Sequence, residues 1–487
     1  MPLTPLQIPL GFYQSKVLPF SAQRCINWIP TVAEGEALND RALVQPSGVT
    51  QFTTSAFGAC RGAMDMADVP YFVNGNQLIS VSSAGVVTAL GTISGTKRVQ
   101  LANNGTQLVI VVPGGDAYAF DNTTSILTQI TDPDYQLSDS VGFYRGFFVF
   151  TTTDGKQLFV SNLNAPLTFD ALDFGSAEGD PDRIITQVID HDELSIIGSK
   201  TTEVFRNIGG VDFPFQIIPG AFTQKGADSK YGVIKFDNTY MFIGGGENEL
   251  SAIWRQTSSA SAQKISSDAI DNQIQKFTKD EIAEAFTMTF SKDGQFFAIF
   301  SFESTRIAGR TFVYNGTASG LSGRPVWFEF QTGLSPIGNT WRVNAIVKAY
   351  GKLLCGDAID GRIGELVDDV YTEYDDTVLR QAATRPFSQG GLDVFSGELE
   401  ATLEAGVGLT IGQGSNPVIR MDFSDDGGKT FSSEFSRFIG KIGEYGHETI
   451  WRRQGRFPNS RTVRFTVTDP VNANLIRLSA TPEVGDQ

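Results

Sequence analysis

Histidine and cysteine are scarce in this chain, whose 487 residues hold two of the first and three of the second. His191 and His447 lie in different halves of the sequence. A histidine metal cluster is therefore excluded, and a Ser-His-Asp triad has little to build on. Cys25, Cys60 and Cys355 are too few and too scattered for a disulfide framework or a zinc site, so reduced, buried thiols are expected. No apolar run approaches the roughly 18 residues of a membrane span. The opening MPLTPLQIPLGFYQSKVLPF lacks a basic region followed by an apolar stretch and a small-residue cleavage site, so neither a signal peptide nor membrane insertion by this chain is expected. An excess of positive charge is missing too. With 38 Lys and Arg against 54 Asp and Glu the formal charge is -16, which disfavours a protein that grips nucleic acid by neutralising phosphates. Any contact with DNA is expected to be transient and non-specific. Acidity of this kind is also simply a route to solubility.

What is abundant points to strands. Glycine (51) and Phe (37) far exceed Tyr (12) and Trp (5), a balance that suits short strands and tight turns, and the fold class expected is all-β. A polar turn followed by a strongly apolar strand recurs along the middle of the chain. It appears as NGNQLISV from Asn74, NNGTQLVIVV from Asn103, FYRGFFVF from Phe143 and DHDELSIIG from Asp190, then as FDNTYMFIGG from Phe236, KDGQFFAIF from Lys292 and AYGKLLCGD from Ala349. The spacing, roughly 30 to 57 residues, overlaps that of four-stranded propeller blades. A β-propeller of about seven blades is expected over 61–376, with blades near 61–95, 96–137, 138–182, 183–225, 226–280, 281–339 and 340–376. A run of meanders forming two sandwiches is the competing reading. Within Ile270–Phe286, Thr278 and Glu281 have capping-box spacing, so a short helix is expected to begin near Thr278 and to plug between two blades. From 377 to 487, alternating segments such as LEATLEAG, VIRMDFS and TVRFTVTD between Gly-rich turns predict a separate C-terminal β-sandwich. Residues 1–60 hold Pro19, Pro30 and Pro46 with little periodicity and read as an extended arm, able to close a ring or lie on a neighbouring subunit.

Few residues assemble into a set that could carry chemistry. Ser424, Asp426, Gly428, Thr430 and Phe431 fit the Asp-box hairpin pattern Ser-x-Asp-x-Gly-x-Thr-aromatic, whose role is to cap a turn. A glycosidase would also need an acid, a nucleophile and a supporting pocket, and the sequence nominates none. His191, in the Asp190-His191-Asp192 turn, reads as a solvated loop residue. The acidic groups Glu178-Gly179-Asp180-Pro181-Asp182 and Asp368-Asp369 with Asp375-Asp376 match no EF-hand and read as solvated turns. No catalytic residue, metal ligand or cofactor is expected. The feature that stands out in an acidic chain is the run Arg452, Arg453 and Arg456, joined by Arg461 and Arg464. Two readings stand side by side: pairing with carboxylates on an adjacent subunit or another ring of the same assembly, or an exposed strand face with ordinary intramolecular pairs.

Several segments, taken in order, resemble the packaged-DNA stabilisation or tail-nozzle (tail hub) proteins of short-tailed phages. Ser21-Ala22-Gln23-Arg24-Cys25-Ile26-Asn27-Trp28 is similar to that family's entry segment, followed by a turn that here reads Pro46-Ser47-Gly48. Gly198-Ser199-Lys200-Thr201-Thr202-Glu203-Val204-Phe205, Phe213-Pro214-Phe215 and Ile265-Ser266-Ser267-Asp268-Ala269-Ile270 follow in the family's order, as do Arg310-Thr311-Phe312-Val313-Tyr314, Trp327 and Asp360-Gly361-Arg362-Ile363. Ser424–Phe431, Gly440–Tyr445 and Trp451–Arg456 continue the likeness into the sandwich, so it covers nearly the whole chain. The resemblance implies a structural virion protein and not an enzyme. It implies a homohexameric ring docked below a portal-adaptor ring, with a tail needle or plug and a tailspike or tail fibre as further partners, that retains packaged DNA and forms its exit channel. The place implied is the virion tail, assembled in the host bacterial cytoplasm. The alternative is a carbohydrate-binding or glycan-hydrolysing propeller for host attachment.

Overall fold

A computed structural model of the protein describes residues 3–484 apart from 178, 180, 181, 211, 212 and 391. Among the described residues, seven sheets built on antiparallel meanders follow one another along the chain. They begin with the strands Cys60–Met66, Gln100–Asn103, Ser138–Tyr144, Ile184–Asp190, Gly226–Ala227 with Val233–Phe236, Phe286–Lys292 and Val343–Ala349. In six of them the next three strands come from the chain immediately downstream. The local reason is turn chemistry. First and second strands are joined by two-residue loops with both φ values positive at Ala67-Asp68, Arg145-Gly146, His191-Asp192, Asp237-Asn238, Asp293-Gly294 and Tyr350-Gly351. Such mirror-image turns match the twist of the strands they connect, so each hairpin is specified locally.

Each opening strand touches that of the next sheet, and Val343–Ala349 touches Cys60–Met66, so the series closes on itself as a β-propeller. Both faces of the inner strands are covered, and the apolar clusters lie between adjacent sheets. Val73, Leu78, Leu108, Ile110 and Phe120 fill the space between the first two, and Phe148, Phe150, Phe159 and Phe169 with Val109 and Val111 that between the second and third. Between the fifth and sixth sheets the filling is helical. The expected helix is present at Lys279–Ala283 with Thr278 and Glu281 forming the capping box, preceded by a second one, Asp268–Ile274, capped by Ser267. Ile270, Ile274, Phe277 and Ile282 from this segment pack on Ile243, Ile253, Phe300 and Phe312.

Residues 1–60, expected as an extended arm, form strands of other sheets. Gly48–Thr54 pairs antiparallel with Arg362–Val367 and becomes the fourth strand of the last propeller sheet. Ala22–Ile26 lies between Trp327–Phe330 of the sixth sheet and Arg380–Ala383, which in turn pairs with Ser460–Val467. One sheet thereby runs from the propeller into the C-terminal sandwich. The second sandwich sheet takes in Ile29–Val32 and Arg41–Val44 next to Leu475–Val484, Val394–Leu403 and Thr449–Phe457. These N-terminal strands are short, and although Ile29–Val32 and Arg41–Val44 pair with each other, Gly48–Thr54 and Ala22–Ile26 have partners some 300 or more residues away, as in Val49↔Leu366 and Arg24↔Ala383. Their pairing leaves no local periodicity to read.

At the crossing between propeller and sandwich sits a buried ion triad. Glu329 accepts from Arg24 at 2.6 Å and from Arg310 at 2.8 Å. Burial pulls the Glu329 carboxyl upward, but the two guanidinium groups outweigh it and hold its pKa below the usual value.

Candidate functional site

The centre of the propeller is spanned by side chains. Arg98 donates to the Asn344 carbonyl at 2.7 Å, lies 4.1 Å from the centre of the Phe286 ring, and its own carbonyl accepts from the Tyr231 hydroxyl at 2.9 Å. Gln100 donates to the Lys230 carbonyl at 2.7 Å, and the Lys230 ammonium reaches Asp139 at 3.1 Å. Asn344 ties on to the Cys60 carbonyl at 2.6 Å. These contacts join the second sheet to the fifth, sixth and seventh, and the fifth to the third, so they cross the ring and do not merely follow its rim. Desolvation lowers the pKa of Arg98, and its charge is held by carbonyl oxygen and an aromatic face. Among the described residues, the side chains that fill the centre of the ring also hold it together.

The arginine run lies on the strand Thr449–Phe457, beside Val394–Leu403. Arg452 pairs with Glu398 at 2.9 Å, and Arg456 pairs with Asp393. Between them the register slips, with Ser396 opposite Gly455 and Glu398 opposite Arg452, and Arg453 occupies the bulge at φ 59°. Arg453 is exposed and has no carboxylate partner among the described residues. Arg461 is held by Asp425 at 2.7 Å between the Phe423 and Phe457 rings, and Arg464 pairs with Asp422 over Phe431. The structure thus separates a run of similar residues into paired members and one free one. Strand pairing sets the difference, and the sequence carries no trace of it.

The Asp-box residues form the turn their pattern predicts. Asp426 accepts from Ser424, from the Lys429 and Thr430 amides and from the Thr430 hydroxyl, which holds its carboxyl well below the ordinary range. A Cβ at Gly427 or Gly428 would strike Pro19 or Ala22, so this hairpin is a bearing surface for the N-terminal strand. His191 bridges Asp190 and Asn238, each at 2.9 Å, and ties two neighbouring propeller turns. Of the acidic groups, Glu178, Asp180 and Pro181 lie outside the described residues. Asp182 caps the Lys200 and Thr201 amides, and Asp368 pairs with Lys292 and Ser47. No cluster of three metal-ligating side chains occurs among the described residues. Trp28, Trp327, Trp341 and Trp451 are buried, and the half-buried Trp254 carries Lys225 over its ring, so no tryptophan face is open to stack on a sugar. Cys25, Cys60 and Cys355 are buried free thiols, with burial pushing Cys60 up to about 11.

A small cavity, of about 30 Å³, sits where propeller, N-terminal segment and sandwich meet, lined by Gln45, Phe330, Trp341, Glu373 and Arg380. Trp341 donates to one Glu373 oxygen at 2.8 Å, while the other oxygen, the Arg380 Nε and the Gln45 Nε2 have no protein partner. The space is that of about one water molecule. Desolvation pushes the Glu373 carboxyl up to about 7.

Comparison with known proteins places both halves in one family. The family model described as the bacteriophage P22 Gp10 β-propeller matches residues 6–371, and that described as the P22 Gp10 β-sandwich matches 382–483. The tail hub protein gp10 of Salmonella phage P22 is 22% identical over 324 residues, which is 64% of this chain and 66% of that relative, just under two thirds of its length. Among solved structures, the β-propeller domain of Myceliophteria thermophila Cps50 (Swd1) aligns with 65% of this chain and 98% of its own at 10% identity and a TM-score of 0.40. The computationally designed Ika8 protein aligns with 65% and 99% at 14% identity and a TM-score of 0.35. With a propeller and a sandwich in the same order, each matched by its own model, the chain belongs to the bacteriophage P22 Gp10 family.

Proposed function

We propose that this protein is a non-enzymatic structural subunit of a phage tail, a hub or nozzle component that holds packaged DNA in the virion and surrounds its exit path. The observation that carries the proposal is the match to both Gp10 domains, together with likeness to a tail hub protein. The filled propeller axis adds a constraint: the path for DNA lies between copies of the chain and not through any one of them. A ring of identical subunits, taken here as six copies of a seven-bladed propeller docked on a portal-adaptor ring, meets that constraint. Each copy brings a formal charge of -16, so walls made of this protein repel the duplex at distances within a Debye length, about 8 Å at physiological salt. Low friction during exit follows. Plug and fibre proteins are the further partners this role calls for, and the host cytoplasm is where such a tail would be put together.

The test is to make particles without the chain. They should fill with DNA and then lose it, and supplying the protein should restore both retention and a density below the adaptor. Particles that keep their DNA and infect normally without it would sink the proposal. Within this role the interface assignment for Arg452, Arg453 and Arg456 narrows to Arg453, which is free to meet a neighbour's carboxylate. Replacing Arg453 by Ala should change unfolding free energy by less than about 0.5 kcal/mol while reducing attachment to tails. Normal attachment would return all three arginines to the status of a solvated strand face.

A further inference from the structure

The sandwich carries an apolar projection at one end and an apolar cleft at the other. The projection is built from two touching loops, 404–417 and 439–448, joined where the Gly443 amide donates to the Gly406 carbonyl at 3.1 Å. A Cβ on Gly406 would strike the Tyr445 ring, so the loops meet at closest approach. From this knob Ile411 and Tyr445 stand 82% and 77% exposed, with Leu409 and Ile442 beside them. These are the two largest exposures among the described large apolar residues, and both lie in the two touching loops.

The cleft, of about 410 Å³, opens between the two sandwich sheets, lined by Leu6, Phe387, Val394, Leu399, Phe457 and Val463. Its volume admits more than one apolar side chain. Arg385 also lines it, exposed and with no carboxylate partner among the described residues. Knob and cleft lie at opposite ends of shared strands. Val394 lines the cleft while Leu403, at the far end of the same strand, runs into the first knob loop; Thr449 leaves the second knob loop and Phe457 ends in the cleft. Ten residues of strand span about 30 Å.

Unlike patches at opposite ends of a molecule favour head-to-tail contact, which produces a ring when the rotation closes. Charge agrees with this, because Glu448 on the knob is exposed and has no partner among the described residues, matching the free Arg385 at the cleft. We propose that the knob of one copy seats Ile411 and Tyr445 in the sandwich cleft of the next, with Glu448 facing Arg385. This rests on the ring-forming reading above.

The experiment places cysteines at Ser388, an exposed residue of the cleft mouth, and at Ile411, in the full chain assembled into virions. The three native thiols are buried and stay silent. A short bismaleimide should convert the S388C/I411C double variant into a ladder of covalent multimers, while either single variant gives none. As a second arm, Arg385→Glu should reduce incorporation into tails by about tenfold, and adding Glu448→Arg should restore it. Normal tails with no ladder would overturn the knob-in-cleft contact and leave the ring reading standing. Absence of a ring from wild-type tails would sink both. Covalent dimers from I411C alone would mean knob against knob, and flotation of the wild type with anionic phospholipid vesicles, abolished by Ile411→Asp, would mean the knob is a lipid contact; either result overturns the proposal.

Discussion

Replacing Glu329 by Gln is expected to destabilise the protein by about 3–5 kcal/mol, the cost of leaving a buried ion pair without its counter-charge. Two guanidinium groups, Arg24 at 2.6 Å and Arg310 at 2.8 Å, converge on this carboxylate, which is almost fully buried. The amide keeps the shape and loses the charge, so two buried cations remain with only dipoles to face. The site also joins domains, because Glu329 lies opposite Ile26 in the sheet that passes from the propeller into the sandwich. The midpoint of urea unfolding reads the loss, and an unchanged slope would confirm that the amount of surface exposed is the same. A control sets the interpretation: replacing Arg24, Arg310 and Glu329 together by Met, Met and Leu should cost much less than the single change, since nothing charged is then left buried. A loss under about 1 kcal/mol for Glu329→Gln would show that water reaches the triad. Because the folded pKa of Glu329 is depressed, its contribution is present above the unfolded value and is lost as pH falls through the folded one.

Glu373 is expected to act in the opposite direction and in a different window. Its folded pKa is raised from 4.5 to about 7, chiefly by desolvation, with Asp357 adding to the rise and the Trp341 and Thr332 hydrogen bonds and Arg342 opposing it. The protonated form is the one the fold prefers. Its stabilising contribution is therefore complete below about 4.5 and falls as pH rises to about 7, by an order-of-magnitude total of about 3 kcal/mol. Glu373→Gln should remove this slope and leave the variant more stable than the parent at pH 8, with little difference at pH 5. Unfolding measured at both values for both proteins decides it. Parallel pH dependence would mean that the cavity beside Glu373 admits enough water to keep the carboxylate solvated.

Local chemistry made the propeller legible. An Asp-Asn, Asp-Gly or Tyr-Gly pair followed by an apolar run is a two-residue turn entering a buried strand, and the segments FDNTYMFIGG, KDGQFFAIF and AYGKLLCGD form such hairpins. The helix at Thr278 was readable for the same reason, since its capping box lies within four residues. The helix Gly316–Ser322 was not, because GTASGLS holds two glycines and little helix propensity, and tertiary packing of Ala318 under Leu10 and Val326 decides its conformation. The strands Ala22–Ile26 and Gly48–Thr54 are not legible in the sequence because what makes them strands lies at the other end of the chain. Charge pairing was hidden in the same way: Arg452, Arg453 and Arg456 look alike in sequence, and only the bulge at Arg453 tells them apart. The exposed knob and the cleft gave no signal either. Apolar residues in Gly-rich turns read as ordinary loop content until their exposure is known.

The N-terminal strands set an order of events on the ribosome. Gly48–Thr54 waits for Arg362–Val367, Ala22–Ile26 for Arg380–Ala383, and Thr4–Leu6 for Leu475–Val484. At elongation speeds of some 5–20 residues per second, the first strands stay unpaired for roughly 15 seconds to more than a minute while the rest is made. Throughout that interval they are open edges, available to any other nascent chain of the same kind. A chain released after Ala383 but before Leu475 can close the first two edges, and only Thr4–Leu6 and Arg41–Val44 are left without Leu475–Val484. Termination at that point therefore leaves Thr4–Leu6 and one edge of Arg41–Val44 open, and Leu475–Val484 is the strand that closes them.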